Sequence, residues 1–350
     1  MNQALFAALE PAPVRGRGIG KFANSLVGQA LPRAPLGQIR RHLILGYRPG
    51  WQSIGDLQRI ADHVTELDPS IRTFIVKTTY LSGVTRRAAA ERPTLVVSPG
   101  RMPKFRPVRG KVYEGWPIPK IDEVRRMEAA GVAVPRTEIL RPGLKIDAEV
   151  WGEFVVVKPT DNASSSHGIG VQLMRSRRVR YVPPEQYPPG HPGRLGPMLV
   201  QAYVPAREVH RVLIFLGRIL SHYTLTPPSE IDTNVPDDVL ERTPVASQAA
   251  PSLARRFVRD ADVEALALAA DRALPEIPLK ACDVLRDKHT RKVYVLEVNS
   301  GGNGWHFSSQ HFAATRQALA LDFQLAMVQQ FDAFRTAARA LVARVNEEAV

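Results

Sequence analysis

The stretch Lys292–Asn303, KVYVLEVNSGGN, constrains this 350-residue chain more than any other. Its β-branched and aromatic residues favour a pleated, half-buried backbone, so it reads as a strand. Side chains at i and i+2 of a strand leave by the same face. Glu297 and Asn299 therefore present a carboxylate and an amide to one space. Gly301, Gly302 and Gly304 follow, and glycines let a chain turn sharply and a ligand come close. A second apolar run, ACDVL, carries Asp283, and a turn through Asp287–Thr290 joins the two runs as a hairpin. Asp283, Glu297 and Asn299 are then an oxygen-only cluster suited to Mg²⁺ (or Mn²⁺) bridged to a nucleotide phosphate. A solvated hairpin with polar residues on its open face reads the same letters.

Composition narrows the classes. With 44% hydrophobic and 23% charged residues, the chain has the make-up of a soluble globular protein with room for two or three domains. No run approaches the roughly 18–20 apolar residues of a membrane span. Arg15, Arg17 and Lys21 near the start are not followed by an apolar core of secretory length, so a cytoplasmic location is expected. The one cysteine, Cys282, excludes an internal disulfide and reads as a buried small hydrophobe. The net charge of +13 points to an acidic partner such as a nucleotide or acidic metabolite. Its arginines are scattered, without aromatic-interleaved stripes or zinc spacing, which argues against nucleic acid.

Taken in order, residues 1–40 are a Pro-, Gly- and Arg-containing extension. RHLILGY, IRTFIVKT and PTLVVSPG read as strands, and Ile54–Leu67 has helical apolar spacing. A small α/β unit with parallel strands is expected over 41–110, with 101–119 as a connection. A helix over Ile121–Ala130, opened by Lys120 and closed by Gly131, follows. VAVPRTEIL, FVVVKP, VQLM and MLVQAYV are strand-like, and Arg211–Leu220 is extended with a hairpin turn at Gly217. Proline-rich residues 225–260 read as an insertion or lid, Asp262–Leu274 as a helix, and Phe312–Asn346 as one or two alanine-rich helices.

The loop Thr160–Gly170, TDNASSSHGIG, can cradle phosphate. Its small residues let backbone amides approach an anion, Ser164, Ser165 and Ser166 add hydroxyls, and Lys158 stands just before it. A strand ending in Lys-Pro, a Gly/Ser loop, G-x-G-V, a strand with a Gln hinge, then Asp and E-x-N resemble, in that order, the ATP-grasp superfamily. The resemblance spans roughly residues 110–310, and 41–100 is similar to the α/β domain that precedes such modules.

The resemblance implies an α/β and α+β chain: an ATP-grasp fold over 111–310, preceded by the parallel α/β domain over 41–110 and followed by C-terminal helices over 311–350. It implies an ATP-dependent, Mg-assisted ligase joining a carboxylate to an amine through an acyl phosphate, acting on small-molecule or peptide substrates. A kinase on the same fold and a non-catalytic ATP-binding regulator are the alternatives. By the same resemblance Lys120 and Lys158 are nucleotide lysines, and Ser164, Ser165, Ser166, Gly168 and Gly170 belong to a loop over the β- and γ-phosphates. Gln201, Ala202, Tyr203 and Val204 form a hinge at the adenine edge. Glu208 binds ribose, Arg211 stabilises phosphate or acyl phosphate, and Asp283, Glu297 and Asn299 ligate metal. Trp305 and His306 stand where an acceptor pocket or ordinary packing would use them.

Overall fold

A computed structural model of the chain describes residues 38–78, 83–102, 105–160, 168–245, 253–300, 313, 317, 319 and 326–350. The chain is mixed α/β, with three sheets. The first is parallel: β1 (Arg41–Tyr47), β2 (Ile71–Lys77), β3 (Thr94–Ser98) and β4 (Gly110–Glu114), in the order β2-β1-β3-β4. Helix α1 (Ile54–Leu67) joins β1 to β2 and buries Leu57, Ile60, Ala61 and Val64 of its apolar stripe, while Ile54 and Leu67 at the stripe's ends are exposed. Each of the larger side chains contributes about 1.5–3 kcal/mol by leaving water.

Two elements of this unit differ from expectation. Helix α2 (Gly83–Glu91) has a short alanine face, which its arginines mask in the sequence. Strand β4 lies in the stretch read as a connection. Its start is set by Gly110 at φ 115°, where a Cβ would meet the Thr94 carbonyl oxygen at 2.1 Å, so only glycine lets this edge strand dock.

Next come α3 (Lys120–Ala129), ended by Gly131 at φ 74°, and a four-stranded antiparallel sheet. Its strands are β5 (Thr137–Ile139), β6 (Phe154–Pro159), β7 (Gln172–Arg175) and β8 (Met198–Ala202), in the order β5-β8-β6-β7. Only Thr137–Ile139 of VAVPRTEIL pairs as a strand. Period-two alternation sends Val155, Val157, Met198 and Val200 to a core around Trp151 of α4 (Ala148–Trp151). It leaves Lys158, Leu199 and Gln201 on the other face.

The third sheet is antiparallel with five strands: β9 (Ala206–Phe215), β10 (Arg218–Thr226), β11 (Ala254–Phe257), β12 (Leu279–Asp287) and β13 (Val293–Ser300), ordered β11-β10-β9-β12-β13. The β9–β10 hairpin turns at Gly217, φ 81°, as expected, though β9 begins earlier, at Ala206. The stretch read as a lid contains α5 (Asp237–Arg242) and the edge strand β11. One face of this sheet packs on α3 and α6 (Ala261–Ala273) through Val212, Ile214, Cys282, Val284 and Val295. The other face sends Leu213, Phe215, Leu279 and Ala281 into a core shared with α1, β1, β3 and α7 (Ala333–Glu348). Residues 313, 317 and 319 are helical, and a π-helical segment, Ala326–Gln330, precedes α7. No helix among the described residues is long and apolar enough to cross a membrane.

Candidate active site

The register of the five-stranded sheet builds the site. Arg211 on β9 lies opposite Asp283 on β12, which lies opposite Glu297 on β13. A bulge follows the last pair, since Val284 next pairs with Val295 and leaves Leu296 extra. Such a bulge bends the strand and re-aims side chains. The predicted hairpin is present, with the Asp287 carboxylate accepting from the amides of His289 and Thr290 at 2.8 Å.

Asp283, Glu297 and Asn299 do converge. Asn299 Nδ2 donates to Asp283 Oδ2 at 3.2 Å and to Glu297 Oε1 at 3.3 Å. Arg211 holds Asp283 by a two-pronged pair, Nε to Oδ1 and Nη2 to Oδ2, both at 2.7 Å. Lys120, at the start of α3, donates from Nζ to Glu297 Oε2. Lys158, from the facing sheet, is buried and donates to Gln201 Oε1 at 2.8 Å; Gln201 Nε2 in turn donates to Thr137 Oγ1 at 2.9 Å. A small pocket lies between the two sheets and α3. Lys120, Glu123, Lys158, Gln201, Leu296 and Glu297 are among its lining residues.

The electrostatics follow from burial opposed by opposite charge. At Glu297 burial pushes the carboxyl up, but Lys120 and Lys158 outweigh it and hold it at about 2. Burial, then repulsion from Lys120, brings Lys158 down to about 8. Glu123 is pushed up to about 8 by burial, aided by Glu297 and opposed by Lys120, the Val298 amide and Lys158. At Asp283 burial outweighs the pull of Arg211 and raises the carboxyl above its ordinary value. Cys282 is buried and its thiol pushed well up by burial, so it supplies no nucleophile.

The donor set of the trio fits a hard cation. It is made of oxygens once the Asn299 amide is turned to present Oδ1, and oxygen and nitrogen of an amide exchange by a simple flip. As placed, the amide nitrogen faces both carboxylates. Among the described residues no group of three His, Cys, Asp or Glu side chains forms another such centre.

Other expected site residues fare differently. Glu208, expected at the ribose and not at the metal, lies away from the trio. Along β9, 208, 210 and 212 share a face and 211 belongs to the opposite one. Glu208 instead accepts from Thr226 Oγ1 at 3.0 Å, on the side of His210. At the expected hinge two backbone amides are taken up within the protein. The Ala202 amide donates to the Arg136 carbonyl at 2.8 Å and the Tyr203 amide to the Phe154 carbonyl at 3.1 Å. The Val204 amide bonds to no described residue. Gly168 and Gly170 have φ of 72° and 71°, and a Cβ on Gly170 would strike the Pro192 ring at 2.8 Å. Ser164, Ser165, Ser166, Trp305 and His306 lie outside the described residues.

Glu123 and Thr137 were not singled out from the sequence. Glu123 was within reach, because it stands at i+3 from Lys120 on one helix and so shares its face.

No protein-family model matches the sequence, and no curated protein matches it. Among solved structures, the ATP-grasp ligase PsnB complexed with minimal precursor is 14% identical, over 87% of this chain and 99% of that one, with a TM-score of 0.46. D-cycloserine synthetase DcsG is 16% identical over 87% and 99%, at 0.46. D-alanine–D-alanine ligase from Bacillus anthracis is 15% identical over 88% and 99%, at 0.44. By structure, this chain is similar to ATP-grasp ligases.

Proposed function

We propose that the chain is an ATP-dependent carboxylate–amine ligase that works through an acyl phosphate. ATP occupies the space between the four-stranded and five-stranded antiparallel sheets, within residues 111–310, and the parallel unit over 41–110 leads into it. The observation that carries this reading is the meeting of Lys120 and Lys158, from α3 and β6, with Glu297 of β13 around one pocket, beside Asp283 and Asn299. Two ammonium groups and one carboxylate of the oxygen trio line the same pocket.

Phosphoryl transfer to a carboxylate is mostly positioning and charge neutralisation. Lys120 and Lys158 offset the charge that a triphosphate and a carboxylate bring together. Arg211, fixed by its two bonds to Asp283, is aimed from the same sheet face to steady the transferring phosphoryl group. Asp283, Glu297 and Asn299 would hold Mg²⁺, which polarises phosphoryl oxygens when bound. The acceptor carboxylate oxygen bonds to the γ-phosphorus as the bond to ADP breaks. The amine nitrogen then bonds to the acyl carbon, phosphate leaves, and the amine gives up a proton.

The test is phosphate release from ATP in the presence of a panel of carboxylates and amino acids, with hydroxylamine as the trapping amine. A stoichiometric hydroxamate with ADP and phosphate supports the ligase. ADP without free phosphate makes the protein a phosphotransferase instead. A protein that binds no Mg-ATP overturns the reading altogether.

A further inference from the structure

The candidate active site leaves the net charge of +13 unused. Lys120 is bonded to Glu297, Arg211 to Asp283, and Lys158 lies in the field of Glu297 and Glu123. Much of the excess is concentrated elsewhere. From Arg86 to Lys111 the chain carries eight basic residues and one acidic residue, Glu91.

The parallel sheet lines up part of this charge at the amino ends of its strands. His42 of β1 pairs with Arg72 of β2 and with Thr94 of β3, and Thr94 pairs with Gly110 of β4. Arg72, Arg40, Arg92 and Arg109 therefore stand within two residues of one line, in the order of the four strands. Neighbouring strands lie about 4.8 Å apart, so the row is about 14 Å long. Arg109 reaches the end of α2, where its Nη2 donates to the Glu91 carbonyl oxygen at 3.4 Å. Helix α2 adds Arg86 and Arg87, both exposed. His42, buried under α2, is lowered by burial, against its bond to the Ala88 carbonyl, and further by Arg92 and Arg72.

The row lacks counter-charges. The ion pairs of this region are Arg106 with Glu114 and Lys111 with Glu348, and none of the six arginines has one among the described residues. Asp68, at the turn into β2, is taken up by Ser70 and Asn346. Only three acidic residues, Glu10, Asp161 and Asp322, lie outside the described residues. Like charges fixed at this spacing repel one another and favour an anionic partner.

The shape of the row says which anion. It runs along a sheet edge and is longer than one phosphate or carboxylate, so an extended polyanion fits it. Single-stranded nucleic acid binds by stacking bases on open aromatic rings. Phe74, the ring beside Arg72, is already covered by that arginine at 5.0 Å and met edge-on by His42 at 5.2 Å. Anchoring to a membrane surface adds large apolar side chains to the charge, whereas the exposed apolar residues here are Val84 and Val108. Carboxylates alternating along an extended peptide recur about every 6.6 Å, within reach of arginines on neighbouring strands. A guanidinium fork grips a carboxylate by two bonds. We propose that the arginine row at the amino ends of the parallel strands docks an acidic segment of a polypeptide.

The experiment is fluorescence anisotropy of a labelled peptide of alternating Glu and Ser, about ten residues long so as to span the row. Its Gln-for-Glu counterpart, a single-stranded oligonucleotide of equal charge and phosphatidylserine vesicles are run beside it. The row variant is Arg72→Gln/Arg92→Gln/Arg109→Gln. The control removes equal charge from exposed positions elsewhere, Arg218→Gln/Arg256→Gln/Arg272→Gln. Wild type should bind the Glu peptide and not its Gln counterpart. The row variant should bind about tenfold more weakly, the worth of three exposed ion pairs, and the control should match wild type. Urea unfolding reports whether each variant is folded, and Arg86→Gln/Arg87→Gln, on the outside of α2, is a second variant expected to weaken binding several-fold. Equal loss in row variant and control, or no binding by wild type, overturns the proposal. Tighter binding of the oligonucleotide or the vesicles than of the peptide also overturns it. Mg-ATP binding should be the same in wild type and row variant, so this proposal and the ATP reading fail separately.

Discussion

The five-stranded sheet buries ionisable groups on both faces, and the two sets are built differently. On the face turned to α6, His210 Nδ1 meets His222 Nε2 at 3.0 Å, His222 Nδ1 meets Glu264 at 3.0 Å, and Arg259 grips Glu264 at 2.7 and 2.8 Å. Lys280 donates to Asp271 at 2.6 Å. These groups are paired and packed against a helix. On the opposite face Arg211, Asp283, Glu297 and Asn299 are drawn from three strands, and Glu297 lines a pocket together with two lysines and with Glu123, whose Oε1 is unpaired among the described residues. Burial of charge is common to both faces. An open polar valence beside empty space occurs on one, and that distinguishes a candidate site from a structural network.

The contrast can be broken by substitution. Glu297→Gln should lower ATP-dependent turnover by about 10³-fold in protein that still unfolds cooperatively in urea, although the midpoint falls because buried Lys120 loses its counter-charge. Full turnover in that variant would remove Glu297 from the site. Lys280→Met, on the other face, should do the reverse. It leaves Asp271 buried without its partner, costing about 3–5 kcal/mol in urea unfolding, while ATP affinity stays as in wild type. Weakened ATP binding in well-folded Lys280→Met protein would mean the two faces are not separate.

Two pH measurements sharpen the same point. Glu123 has its folded pKa raised from 4.5 to about 8, so the folded state holds its proton more tightly than the unfolded chain. That contribution is full below 4.5 and is lost as pH rises toward 8. Glu123→Gln should therefore gain stability over wild type at pH 8, on the order of 2 kcal/mol, and lose the advantage near pH 5. Equal stabilities at both pH values would show that the carboxyl is better solvated than its surroundings indicate. His210 and His222 are lowered from 6.5, chiefly by burial. For them the unfolded chain takes the proton first, so stability is intact above 6.5 and falls as pH drops below it. Glu208, Asp260 and Glu264 draw the protons in, while Arg259 and Arg286 resist them. His222→Gln should flatten this decline by about 1 kcal/mol between pH 6.5 and 5. The steepness of the wild-type decline in that window is the check.

Much of the site was legible because it is local. Glu297 and Asn299 share a face through strand alternation alone, and Asp283 is brought opposite by a hairpin whose turn residues are adjacent in the chain. Lys120 and Lys158 were legible as positions at the ends of a helix and a strand. Which face of β9 Glu208 takes was not legible, because the strand starts at Ala206, earlier than its apolar pattern shows. Strand β4 was hidden because a polar edge strand leaves little periodicity, and its docking depends on the space that Gly110 leaves at Thr94.

By itself, the amino-acid order determined the strands and helices with strong periodicity, the hairpin bearing the oxygen trio, and the buried state of Cys282. Those features are settled within a few residues, by alternation, capping and turn chemistry. The tertiary structure alone decided that Lys120 reaches Glu297, that Lys158 is spent on Gln201, that Glu208 bonds to Thr226, and that Glu123 keeps an oxygen unpaired among the described residues. Each of those outcomes depends on which distant surfaces come together, and burial and partnership are properties of that assembly rather than of any one segment.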